Sequence, residues 1–319
     1  MKHFALAAAF AAITTGSATA QTLSIATLPQ GSAWNTMGSA IAGAVREDGF
    51  RIVVQPYGGN VAMLQAVQQQ LAEFAVNDVN EVIGAVNGRY FFEGQAQPEL
   101  RIVARLMPQV VGMFVRESLE ITEVRELKGK RVPSGMAVFP IGISNIEAIL
   151  AADGLSYADV TSVPTQSLIS GADDVAANRL DTMLFAVGAP KVAEVGAAVG
   201  GVRFLKFSAD REAALEAVRA IRPAYNISTV EPAPFRVGLS EPMDMLTYDI
   251  VLVAGSHVSD EAVYQMLARM AETRDAIVAA FPPMGPFAID IAWQDYPGVS
   301  YHPGALRYFA DNGIQLQSN

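Results

Sequence analysis

A set of polar and aromatic side chains stands where short apolar stretches of this chain pass into helical ones. They are Gln30, Ser32 and Trp34; Tyr57 and Asn60; Asn77 and Asp78; Ser134 with Phe139; Ser167; and Phe185. Hydroxyls, amides and the backbone N–H groups of helix N-termini suit a small anion or zwitterion, with aromatic rings to cover its apolar part. Taken singly, Ser167 and Asn60 read best as caps, and Trp34 and Tyr57 read equally well as core aromatics. The set carries more than its members. Bond-breaking chemistry finds no comparable set: His3, His257 and His302 have no Asp or Glu at metal-ligand spacing, and cysteine is absent. Nor is there a Gly-x-Ser-x-Gly elbow, a Walker loop or a dinucleotide fingerprint. These residues predict a binding site with no catalytic group, metal or cofactor.

Arg105 is the most pointed single candidate. It lies between the apolar runs 102–104 and 110–111, where a guanidinium could grip a carboxylate bidentately. An exposed arginine at a strand end fits the same sequence equally well. Asp173-Asp174 reads as a solvated first helical turn, and 128–131 as a charged turn.

The elements that must hold these residues alternate between two periods. Residues 22–27, 51–55 and 74–77 read as strands, with helices from about 34 to 45 and from Asn60, whose Leu64, Val67 and Leu71 share one face. The same grammar returns with strands at 131–134, 160–163 and 180–185 and helices at 141–151 and 168–178. Spans 56–77 and 164–185 match in length, since 164 − 56 and 185 − 77 are both 108, and Glu73 and Asp181 fall at the same offset. Two similar α/β lobes follow, each a mainly parallel sheet flanked by helices, with ligands expected outside the carboxyl ends of the strands. Apolar segments at 110–115 and 248–253 read as two hinge strands crossing between the lobes. The expected organisation is lobe I from 21–115 plus 248–319 and lobe II from 116–247. Ser259 should cap a helix with Val263, Met266, Leu267 and Met270 on one face, and 232–242 should be loop.

Residues 1–20 have the pattern of a cleaved secretory signal peptide. Lys2 is followed by an apolar run at 4–13, too short to span a bilayer, and by the small residues Ala18-Thr19-Ala20. The expected location is therefore the periplasm. The chain has 22 basic and 32 acidic side chains; losing Lys2 with the leader leaves 21 against 32, a net charge of −11. That sign argues against a nucleic-acid partner. With 51% hydrophobic and 17% charged residues, sizeable cores are available to both lobes.

Several motifs together resemble a known family across nearly the whole mature length. They are Ile25-Ala26-Thr27, Tyr57-Gly58-Gly59-Asn60, Asn77-Asp78, residues 126–132, 185–190 and 259–264, and His302-Pro303-Gly304-Ala305. The chain resembles the TAXI-type solute-binding proteins of tripartite ATP-independent periplasmic (TRAP) transporters. The resemblance implies a two-lobed periplasmic binding fold, type II-like, that closes on a small carboxylate or amino acid. It also implies delivery of that solute by a monomer to a membrane permease driven by an ion gradient, typically sodium. Where such proteins commonly carry a Ser-Gly-Thr-like stretch, this chain has Met136-Ala137-Val138-Phe139-Pro140-Ile141, which favours a solute with a larger apolar part. A sensory module for a membrane receptor and a periplasmic hydrolase are the alternatives. A neighbouring permease gene or histidine kinase gene separates transport from sensing, and turnover of a solute would revive the hydrolase.

Overall fold

Two long strands tie the molecule together, and every other element is arranged around them. The computed structural model describes residues 21–317, so the signal-peptide expectation lies outside the described residues. From the N-terminal end come β1 (Gln21–Thr27), α1 (Ala33–Ala44), β2 (Phe50–Pro56), α2 (Asn60–Gln68), β3 (Phe74–Asp78), α3 (Val79–Val86) and β4 (Leu100–Arg116). Next are β5 (Arg131–Gly135), α4 (Pro140–Ala152), β6 (Thr161–Thr165), α5 (Leu168–Ala176), β7 (Thr182–Ala186), α6 (Pro190–Val199), β8 (Val202–Phe204), α7 (Arg211–Ile221) and β9 (Asn226–Val230). The chain ends with β10 (Met243–Gly255), α8 (Asp260–Glu272), α9 (Arg274–Ala280) and α10 (Pro303–Asp311).

The long pair β4 and β10 runs antiparallel and changes neighbours halfway. The C-terminal part of β10 pairs with β3, and its N-terminal part pairs with β9. Beyond Val110, β4 pairs with β7 and β8. One side therefore reads β2-β1-β3-β10-β4. The other reads β6-β5, linked to β7 by the Asp181 N–H on the Arg131 carbonyl, then β7-β4-β10-β9. The result is a two-lobed α/β fold whose lobes mirror each other, with the long strands exchanging places. Parallel ladders lie in β2-β1-β3 and β5-β6; the long strands enter antiparallel because each returns from the opposite lobe. The crossing strands extend well beyond the 110–115 and 248–253 segments expected from hydropathy.

The internal repeat holds to the residue. Helices α2 and α5 and strands β3 and β7 start and stop at the same offset, since 168 − 60, 176 − 68, 182 − 74 and 186 − 78 are all 108. Each helix is followed by a residue in the left-handed region, Gln70 (φ 60°) and Asn178 (φ 58°). Each strand is preceded by a carboxylate that accepts a backbone N–H from the neighbouring first strand. Glu73 accepts from Ser24 N–H at 2.7 Å, and Asp181 from Arg131 N–H at 2.8 Å. These are charge-assisted bonds that set the strand register.

Local signals act as expected elsewhere. Ser259 caps α8, and Val263, Met266, Leu267 and Met270 are buried on one face. The His302-Pro303-Gly304 motif is a helix start. His302 accepts from the Gly304 N–H at 3.1 Å, and a Cβ on Gly304 would sit 2.3 Å from the Asp260 carbonyl oxygen. Two details differ from the sequence reading. Gly59, not Asn60, occupies the cap position of α2, and Leu71 lies beyond that helix with 62% of its surface exposed. The left-handed turn at Gln70 carries Leu71 away from the apolar face.

Candidate functional site

Three of the contacts between the two lobes close the cleft. The Gly59 backbone abuts Val138, and a Cβ there would stand 1.5 Å from the Val138 carbonyl oxygen, so only glycine permits this approach. The Lys191 N–H donates to the Gly31 carbonyl at 3.2 Å. Deeper, Arg222 of the second lobe reaches Glu81 of the first at 2.6 Å.

Between these contacts lies a cavity of about 30 Å³, room for about two ordered waters. Its walls come from both lobes: Leu28, Ser32, Ala33 and Trp34 from the first, and Phe139, Asn145, Leu168, Leu184, Phe185 and Ala186 from the second, with Val111 and Tyr248 from the crossing strands. Most of these are apolar, and none is charged. Ser32 is committed to capping α1, accepting from Asn35 N–H and donating to the Pro29 carbonyl. Asn145 hydrogen-bonds Tyr248, is 1% exposed, and keeps a buried Oδ1 with no partner.

Behind Tyr248 sits a buried ionic cluster. Tyr225 stacks on Tyr248 with ring centroids 4.5 Å apart and donates its hydroxyl proton to Asp78. Arg222 donates to Glu81 and, at 3.0 Å, to the Tyr225 oxygen; its guanidinium lies 3.6 Å from Asp78. Two carboxylates thus share one guanidinium away from water. Burial pushes the Asp78 carboxyl up, against the pull of Arg222. Burial and, more weakly, the Asp78 charge push Glu81 up to about 7, again against Arg222. Burial also drives the Tyr225 and Tyr248 hydroxyls well above the usual tyrosine range.

The structure brings some of the expected residues together and separates others. Ser32, Trp34, Phe139 and Phe185 line the cavity. Asn77 and Asp78 lie in the buried polar layer, with Asn77 donating to the Asn60 carbonyl at 3.2 Å and accepting from Asp78 N–H. Asn60 is fully buried, and neither polar atom of its side chain has a partner. Ser167 caps α5, and Ser134 is half-buried in β5. Tyr57 is half-buried and bonds Gln55 at 3.2 Å, and Gln30 borders a separate groove with Lys191 and Glu194. Arg105 sits in another groove with Pro108 and Tyr296, paired at 2.8 Å with Asp249, which also accepts from Tyr296.

Sequence reasoning missed Asn145, Tyr248, Glu81, Arg222 and Tyr225. Tyr248 had a usable signal, the start of a predicted crossing strand. Arg222 had none, because Glu81 lies 141 residues away in sequence.

A family model described as the NMT1-like family matches residues 25–313. Among solved structures, the chain is similar to MatC of Rhodopseudomonas palustris with bound malate: 14% identity, 83% of this chain, 88% of that one, TM-score 0.55. A protein of the same organism with adipate aligns at 14% identity over 78% of this chain and 82% of its own, TM-score 0.53. PhnD1 of Prochlorococcus marinus in complex with methylphosphonate aligns at 11% identity over 82% and 90%, TM-score 0.50. At these identities the likeness is one of fold.

Proposed function

Since this chain belongs to the NMT1-like family, we propose that it is the extracytoplasmic solute-binding subunit of a TAXI-type TRAP transporter. It captures a small organic acid or amino acid between its lobes and hands it, chemically unchanged, to a membrane permease. The observation that carries this reading is the cavity at the meeting of two repeated lobes, walled by strand-end residues from both. The signal-peptide pattern at 1–20 supports a periplasmic address, and no helix among the described residues is long and apolar enough to cross a membrane. The malate, adipate and methylphosphonate in the structural neighbours support a small solute.

We place the division of the lobes where β4 and β10 exchange partners, near Gln109 and Tyr248, a few residues before the expected boundary at 115. Rotation there parts Gly59 from Val138 and Gly31 from Lys191 and admits the solute. Closure then buries it between Trp34 and Phe185. Release requires the permease to bind the open form better, because a partner shifts this equilibrium only through differential affinity.

The test is a melting screen of the purified protein against organic and amino acids, with recovery of the hit. A true solute raises stability by about 2.7 kcal/mol at a hundredfold excess over its dissociation constant and is recovered intact. A hit that comes back chemically altered would sink the reading. A histidine kinase gene beside this one, with no permease gene, would move the proposal from transport to sensing.

A further inference from the structure

Three features of the cleft bear on the charge of its solute. No residue that lines the cavity is charged, and the lining residue Asn145 keeps a buried Oδ1 with no partner, an acceptor that needs a donor. Its aromatic walls, Trp34, Phe139, Phe185 and Tyr248, are of the kind whose ring faces attract cations. Behind the stacked pair Tyr248–Tyr225, the carboxyls of Asp78 and Glu81 both hold Arg222, so the buried cluster has no net positive charge to offer a solute. An anion placed here would find no free guanidinium, since Arg222 is held by both carboxyls.

We propose that the cleft selects an organic ammonium ion on a short apolar body, either an amine or a zwitterionic amino acid. The inference rests on the binding role proposed above and names the solute class of the same site. The cavity as closed here holds only about two waters, so the lobes stand further apart around this solute; the ammonium N–H then donates to Asn145 Oδ1, and the rings cover the charge and the body. Asp78 and Glu81 are then specificity-determining residues, because they occupy the buried arginine that would otherwise grip a solute carboxylate.

The test compares three solutes of like shape by calorimetry on the purified, dialysed protein: isobutylamine, L-valine and isovalerate. Isobutylamine or valine should bind about tenfold or more tighter than isovalerate, and the stronger of the two identifies the source of the ammonium. Asn145→Leu should weaken the ammonium ligand about tenfold and leave isovalerate unchanged. Should that variant fail to fold, Asn145→Asp should tighten isobutylamine and further weaken isovalerate. Isovalerate binding as well as isobutylamine overturns the charge assignment but leaves the binding role standing. Failure of all three overturns the assignment too, and the wider melting screen then decides the binding role separately.

Discussion

Residues 56–78 and 164–186 fold alike and end differently. Both run from a strand-terminal proline through a nine-residue helix and a left-handed turn to a carboxylate-anchored strand. At the cleft, however, Asn60, Asn77 and Asp78 in the first lobe correspond to Leu168, Phe185 and Ala186 in the second. The first trio lies in a buried polar layer whose members bond each other, cap α3 and meet Tyr225. The second trio lines the cavity, with Phe185 edge-on to Phe114 at 6.2 Å. The repeat thus supplies a scaffold through its turn and carboxylate positions, while recognition is written in the few side chains at the strand ends.

The largest expected effect tests the polar wall. Arg222→Ala leaves Asp78 and Glu81 buried without their cation and should cost about 3–5 kcal/mol in urea unfolding. A loss under about 1 kcal/mol would mean that the cluster is not buried in solution. Next comes its pH dependence. Glu81 titrates near 7 in the folded chain against 4.5 for the free side chain, so the unfolded chain releases this proton first. Stability should therefore fall as pH rises from about 4.5 to about 7, by about 3 kcal/mol, and then level off. Glu81→Gln should reduce that slope to the part the raised Asp78 carboxyl contributes; an unchanged slope would assign it to other groups.

The shared scaffold is tested by paired substitutions. Glu73→Gln and Asp181→Asn should each cost about 1.5–3 kcal/mol in the same assay, by weakening a charge-assisted bond to a neighbouring strand. Asp181 should be the costlier, because Arg131 also donates to it through its side chain and Arg116 lies 3.7 Å away. A negligible cost at only one of the two positions would break the structural equivalence. Smallest is Arg105→Ala, outside the cavity. Its pair with Asp249 is partly exposed and should be worth about 0.2–1 kcal/mol, with solute affinity unchanged. A tenfold loss of affinity in calorimetry would bring the Arg105 groove into the binding site.

Much of the architecture was legible beforehand because it depends on short-range signals. The apolar face of α8 and its Ser259 cap lie within one helix, and the offset of 108 relates two strand–helix–strand units that are each readable locally. Four of the twelve residues that line the cavity were also expected: Ser32, Trp34, Phe139 and Phe185 occupy strand-to-helix junctions, and junctions at the carboxyl ends of strands face a cleft. The remainder was hidden for identifiable reasons. Asn145 is a polar residue inside an apolar helix, where sequence offers only the expectation of solvent. Arg222 follows a helix and precedes a proline, with no local sign that it turns inward.

Pattern along the chain was sufficient for two related lobes and two crossing strands, since periodicity, capping and turn chemistry act over a few residues. It was not sufficient for the charge inside the cleft. Glu81 and Arg222 are separated by 141 residues and meet only where the two lobes pack together, away from water. Burial and Coulomb attraction at contact distance depend on that three-dimensional arrangement, and they, rather than residue type, determine which buried groups are left for a solute.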